Sequence, residues 1–303
     1  MAEFSGKLSI LQRVLRRYRA PFFDLLAEHC TGGLSVFAGQ PRPTEGITSI
    51  SELHTAEYYP AENRHLFGGP LYACIQEGVT NWLEATDPNA LIVEANPRYL
   101  STPAAIEWMQ ARQRPVLGWG LGAPTAGLFS RLLAGRRQRF LQQLDGVIAY
   151  SQRGVAEYRA AGIPAERVFV APNAVMAAPA GEPPERRGHL YEGRGKIIFV
   201  GRVQQRKRLD TLVEAVARLS NRQPDLVIVG ERPVWMQARE YASMTYAHTE
   251  FTGALFGEDL SAQLLTADLF VLPGTGGLAV QQAMAHGLPV VVAEGDGTQD
   301  DLV

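Results

Sequence analysis

The feature that most constrains this chain is an alternation of short apolar runs with longer helical patterns, which occurs in two separate series. The first series covers residues 34–37, 90–94, 115–117, 146–150 and 168–170, and the second covers 196–200, 225–229, 268–272 and 289–293. The runs are short and rich in β-branched residues, and they lack polar alternation. Strands buried on both faces of a parallel sheet have this pattern. The helical segments between them fit βαβ units, so the expected class is α/β.

Between the series, residues 176–195 read MAAPAGEPPERRGHLYEGRG, with three prolines, four glycines and no apolar period. That is linker composition. The expected organisation is a first domain at 1–175, a linker at 176–195 and a second domain at 196–303, both domains of ordinary size. No short-period repeat is visible. Apolar residues at 46% and charged residues at 20% exclude a disordered chain. The formal charge of -2 offers no global positive field, so no nucleic-acid partner is expected. Cys30 and Cys74 are too few for a disulfide framework and fit a reducing compartment. The start, MAEFSGKLSI, lacks the basic-then-apolar pattern of a secretion signal. No run reaches the ~18 uncharged apolar residues of a membrane span. A cytoplasmic location is therefore expected.

Chemistry concentrates in the second series. The run 197–200 leads directly into Gly201 and Arg202, then Val-Gln-Gln-Arg-Lys207-Arg. An apolar helical face follows at Leu209, Leu212, Val213, Val216 and Leu219. A basic cluster thus sits at the carboxyl end of a strand, the edge where open α/β sheets bind ligands. Arg202 offers a planar fork and Lys207 a point charge, which together suit a diphosphate. The charges alone fit a solvated loop equally well.

Further on, the run 268–272 ends in Pro273-Gly274-Thr275-Gly276-Gly277, and a short helix begins. Glycines let a ligand approach the backbone, and free amides at a helix start attract anions. Gly274 to Ala279 also satisfies the G-x-G-x-x-A dinucleotide fingerprint, with Glu294 placed 20 positions after Gly274. An NAD site is therefore an alternative. Against it, the fingerprint normally opens a Rossmann domain with further strands after it, whereas here only nine residues follow Glu294.

Taken together, these residues resemble the retaining glycosyltransferases of family 4, which have the GT-B fold of two Rossmann-like domains. The resemblance rests on Phe199-Val-Gly201-Arg202, Lys207-Arg-Leu-Asp210, Leu226-Val-Ile-Val-Gly230 and Phe251-Thr-Gly253. It continues through 267–273 and 283–290 (ADLFVLP and AMAHGLPV). In the first half, Leu11-Gln12 through Tyr18-Arg19-Ala-Pro-Phe-Phe23, Asn96-Pro-Arg-Tyr99, 149–153 and 171–173 are similar as well. The resemblance implies an acceptor-side first domain and a donor-binding second domain. Arg202 and Lys207 would be catalytic, gripping the donor diphosphate as it leaves. Gly201, Phe251, Gly253, Gly274, Thr275, Gly276, Gly277 and Gln282 would line the donor. No metal and no cofactor are implied beyond a UDP- or GDP-sugar donor. The acceptor would be a glycan, a lipid-linked molecule or a small molecule, with peripheral contact to the inner membrane face as an additional implication.

The chain departs from the family pattern at three points. The two glutamates usual around the glycine turn fall on Gly274 and Gln282. Leucine stands at 121, where the first domain often has histidine. The sequence given stops at Val303, before the closing strand and helices that the family adds, so the second domain is expected to lack them. A glycosyltransferase is the leading expectation. A binding or scaffold protein of the same fold, or a gene fragment, is the competing one. Arginines cluster at 13, 16, 17 and 19, and at 136, 137 and 139. The resemblance implies that such groups can face acceptor phosphates or a membrane surface, but a solvated helix face is the leading reading. Trp119 and Tyr150 fit packing, while Glu94 and Asp145 fit caps or ion pairs.

Overall fold

In the computed structural model, the described residues are 3–123, 134–176, 194–219, 223–230, 235–295 and 299–303. The expected linker at 176–195 lies almost wholly outside them. The chain forms two compact units, Met1–Ala174 and Val175–Val303.

The first unit begins with strand β1 (Leu8–Val14), helix α1 (Ala20–Glu28), β2 (Leu34–Gly39) and β3 (Glu57–Pro60). A hairpin of β4 (Glu62–Leu66) and β5 (Ala73–Glu77) follows, then α2 (Val79–Thr86) and β6 (Ala90–Glu94). After these come α3 (Thr102–Gln110), β7 (Val116–Gly120), α4 (Ala134–Gln142), β8 (Gly146–Ala149), α5 (Gln152–Ala160) and β9 (Val168–Val170). The main sheet is parallel, in the order β3-β2-β1-β6-β7-β8-β9. Both its faces are buried. Ile10, Val36 and Ala38 join Phe23 and Trp119 on one side. Leu11, Phe37, Leu91 and Val93 join Trp82, Ile106 and Met109 on the other.

The second unit runs β10 (Lys196–Val200), α6 (Leu209–Ala217), β11 (Asp225–Val229), α7 (Trp235–Thr245) and β12 (Thr249–Gly253). It continues with α8 (Gly257–Thr266), β13 (Leu269–Leu272), α9 (Leu278–Ala285) and β14 (Val290–Val292). Its sheet is parallel, in the order β12-β11-β10-β13-β14. Phe199, Phe270, Leu226 and Ile228 are fully buried in one continuous core. In both units the strand order starts in the middle and reverses once, as in a Rossmann-like sheet. The reversal lies between β1 and β6 in the first unit and between β10 and β13 in the second.

Two expectations need correction. The central strand β1 carries Gln12 and Arg13, so its apolar run is interrupted, yet all seven residues are buried. Arg13 and Arg19 are accordingly not on a solvated helix face, being 7% and 5% exposed. Leu219 is not part of an apolar helix face either, since α6 ends at Ala217 and Leu219 is 47% exposed. Among the described residues, no helix is long and apolar enough to cross a membrane.

Candidate functional site

The carboxyl ends of β10 and β13 bracket the switch point of the second sheet. The chain leaves β10 through Gly201 and the exposed Arg202, then makes a 3-10 turn at Gln205–Lys207 before α6 starts. Arg208 closes that turn with φ at +52°, a left-handed conformation that non-glycine residues seldom adopt. Lys207 is thereby folded inward and is only 8% exposed. Its ammonium donates to the carbonyl of Thr275, in the glycine turn that follows β13. Arg206 donates to the Thr275 hydroxyl at 2.9 Å. The two segments picked out in the sequence, 80 residues or fewer apart, therefore form one surface.

The glycines are required by close approach. A Cβ at Gly274 would lie 2.7 Å from the Lys207 Cα, against backbone that cannot move aside. A Cβ at Gly276, whose φ is +136°, would strike the Lys207 ammonium. At Gly201 the added atom would sit 3.7 Å from the Lys207 Cε. Neighbouring strands end the same way. Gly201, Gly230 and Gly253 follow or close β10, β11 and β12 with φ of +155°, +147° and +83°. The Gly201 amide donates to Val229 at 2.9 Å, and the Gly230 amide to Gly253 at 2.8 Å. The result is a strip of bare main chain along the ligand edge of the sheet.

The remaining donor candidates lie further out. Phe251 is half-buried on β12, two strands from β10. Gly277 is buried and precedes α9. Gln282 is half-buried on α9, where its carbonyl accepts from the His286 ring at 2.8 Å. Two residues of the turn were not singled out in the sequence. Arg206 read as part of a basic run with no role of its own. Gln299 is 1% exposed, accepts from the Gly276 amide at 3.1 Å and donates to the Ala293 carbonyl. It clamps the glycine turn to the exit of β14, and nothing in its local sequence pattern signals this.

The first unit has its own polar cluster at the carboxyl edge. The Arg13 amide donates to the Glu94 carboxylate at 2.6 Å, joining β1 to β6 across the switch point. The Arg13 guanidinium reaches both carboxylate oxygens of Glu45, at 3.1 and 2.8 Å, and the Tyr72 hydroxyl at 3.3 Å. Burial pushes the Tyr72 hydroxyl up to about 12, so it is neutral and can donate. Arg19 donates to Gln12 at 2.7 Å, to Tyr150 at 2.6 Å and to Asn173 at 3.1 Å, with its guanidinium 4.7 Å from the Trp119 ring. Trp119 and Tyr150 pack in the core beside it. Asp145 is structural, accepting the Val116 amide at 2.7 Å. Leu121, beyond β7, is 42% exposed.

Two Rossmann-like units, the second with a cation and a glycine turn at its switch point, define the GT-B class of glycosyltransferase fold. Solved structures agree. HepE from Anabaena, bound to UDP and glucose, superposes with a TM-score of 0.68 at 16% identity over 98% of this chain and 83% of that one. Sucrose-phosphate synthase from Thermosynechococcus elongatus gives 0.69 at 16%, with the same coverage. Residues 194–302 match the family model for glycosyl transferases group 1. Phosphatidyl-myo-inositol mannosyltransferase of Mycolicibacterium smegmatis is 28% identical over 226 residues, 72% of this chain and 56% of that protein. A GDP-mannose-dependent alpha-mannosyltransferase of Corynebacterium glutamicum is 39% identical over 113 residues, 36% of this chain and 25% of that protein. The second unit, residues 194–302, is thus similar to the group 1 glycosyl transferases. The chain spans about half the length of the first of these relatives (56%) and less of the second. Of the fingerprint glycines, Gly274 makes room for the backbone of Arg206 and Lys207, and Gly276 for the Lys207 side chain.

Proposed function

We propose that the chain transfers a sugar from a nucleotide-diphosphate donor to an acceptor hydroxyl, with the donor on the second unit and the acceptor on the first. The observation that carries this is the convergence of Lys207 and the glycine turn at the switch point of the second sheet. Anions are favoured there by the ammonium, by Arg202 and Arg206, and by backbone that a phosphate can approach closely. In the reaction, the bond from the anomeric carbon to the diphosphate oxygen breaks and a bond to the acceptor oxygen forms. The acceptor proton leaves with the diphosphate. Lys207 and Arg202 neutralise the charge that develops on the leaving group, a role that needs no metal. Departure and attack on the same sugar face would retain the anomeric configuration. Gln282 replaces a carboxylate and can still bond a ribose hydroxyl through donor or acceptor. Gly274 offers main chain only.

The test is a donor panel of UDP- and GDP-sugars on the purified chain, read by mass spectrometry, with calorimetric binding of UDP, GDP and NAD alongside. Sugar release from one donor, lost in Lys207→Ala, supports the proposal. Tight NAD binding without nucleotide-diphosphate binding overturns it. Nucleotide binding with no transfer to any acceptor would favour a scaffold of the same fold.

A further inference from the structure

The peptide unit between Thr275 and Gly276 is held at both ends. Its carbonyl accepts from the Lys207 ammonium, and its amide donates to the Gln299 carboxamide oxygen at 3.1 Å. Thr275 lies between Gly274 and Gly276, and Gly276 has a φ of +136°. Glycine rotates with little steric resistance. The orientation of this peptide therefore depends on its two hydrogen bonds rather than on its own backbone.

Gln299 is built to hold one of those bonds. A carboxamide carries both donor and acceptor. This one uses both, accepting from Gly276 and donating to the Ala293 carbonyl. A Cβ at Gly295 would overlap the carboxamide, so the glycine there leaves room for it. The main chain of Gln299 is anchored as well. Its carbonyl accepts from the Leu302 amide at 2.9 Å, and Leu302 packs against the core of the second unit. At 1% exposure, Gln299 is a fixed reference point for the Thr275 carbonyl. The consequence falls on Lys207, whose ammonium rides on a flexible four-carbon stem. The Thr275 carbonyl draws that ammonium inward, and the side chain is 8% exposed.

We propose that Gln299 is a positioning residue for anion binding: by fixing the Thr275–Gly276 peptide, it sets the place of the Lys207 ammonium. On the transferase reading above, the anion is the donor diphosphate. Without the clamp the peptide can turn, and the lysine must be ordered when the anion arrives. Ordering one such side chain weakens affinity roughly two- to twelvefold.

Pyrophosphate, UDP and GDP would be titrated calorimetrically into the full chain and its variants. Gln299→Met keeps the volume and removes both hydrogen bonds. It should weaken each of these anions that the wild type binds by about threefold or more. Gln299→Asn keeps the carboxamide but is too short to join Gly276 to Ala293. It should lose affinity in the same direction, and it carries the comparison if the methionine variant does not fold. In a Lys207→Met background the Gln299 change should add nothing, because it acts through the lysine. Labelling threonine carbonyl carbons and glycine nitrogens gives three Thr–Gly signals, at 31–32, 252–253 and 275–276. The last is identified by its disappearance in Thr275→Ser. Its amide proton should exchange about tenfold faster or more in the Gln299 variant, with that of Gly32 unchanged. The proposal is overturned if the Gln299 variants bind as wild type does, or if the loss is equal in both backgrounds. It is also overturned if the Gly276 amide exchanges at its wild-type rate. If the wild type binds pyrophosphate but neither nucleotide, the same comparison decides the clamp, and the transferase reading falls alone. Binding of none of the three removes both.

Discussion

Replacing Lys207 by methionine separates the two roles this side chain can have. Methionine keeps the length and the apolar stem and removes only the ammonium. Two effects on stability oppose each other. The hydrogen bond to the Thr275 carbonyl is lost, and a bond from a charged donor contributes about 1.5–3 kcal/mol. Against that, the variant no longer takes an ammonium out of water, which costs several kcal/mol before pairing. Lys207 is 8% exposed, so this relief is substantial, and the released carbonyl of half-buried Thr275 can reach solvent. The two nearly cancel, and the expected change in unfolding free energy is within about 1 kcal/mol. Binding has no such offset. At least one charge-assisted bond to a phosphate oxygen disappears, and about 1.5–3 kcal/mol converts to roughly a ten- to 150-fold loss in affinity. Urea unfolding and calorimetric titration with UDP and GDP read the two quantities on the same preparation. A variant destabilised by more than about 2 kcal/mol, yet binding nucleotide with wild-type affinity, would make Lys207 a structural pin and refute the reasoning.

Substitutions at three other positions probe the frame. Gly230→Ala places a methyl on the Gly201 carbonyl oxygen at a φ of +147°, and should cost about 2–4 kcal/mol in urea unfolding through strain and overlap together. Arg19→Ala strands the acceptors on Gln12, Tyr150 and Asn173 and should cost about 3–5 kcal/mol, with Arg19→Lys restoring little because it lacks the fork. Partial burial raises the pKa of Asp24, but the amides of Thr55, Ala56 and His54 outweigh it and hold the carboxyl below its ordinary value. Its stabilisation is therefore complete above the unfolded value of about 3.9 and is lost as pH falls through the lower folded value. Asp24→Asn should be less stable at neutral pH, and a gap to wild type that persisted unchanged at pH 2 would contradict this.

Much of the second unit was legible in the sequence, because its strands are unbroken apolar runs and its candidate site residues cluster at their ends. Ile197 to Lys207 and Leu272 to Gly277 could be read as one site before any coordinates. The first unit was harder. Its central strand carries Gln12 and Arg13, whose burial depends on partners far along the chain: Gln76 reaches the Gln12 carbonyl and Glu45 pairs with Arg13. Local patterning cannot register such compensation, so β1 was not among the predicted strands, and Arg13 and Arg19 looked like a solvated helix face. The β4–β5 hairpin was missed for a similar reason, since its residues are mostly exposed or half-buried and carry no apolar period. Gln299 was invisible because a single glutamine acquires meaning only from the amide it meets.

The strip formed by Gly201, Gly230 and Gly253 has a consequence for how this protein can change. Main-chain atoms are common to all residues, so a contact made there cannot be retuned by exchanging a side chain. At Gly230 a substitution strains or collides before it selects. If the strip holds the proposed donor, the grip on what all its ligands share is thereby frozen. On the proposed donor site, drift in preference would fall on flanking side chains such as Gln282 rather than on this strip.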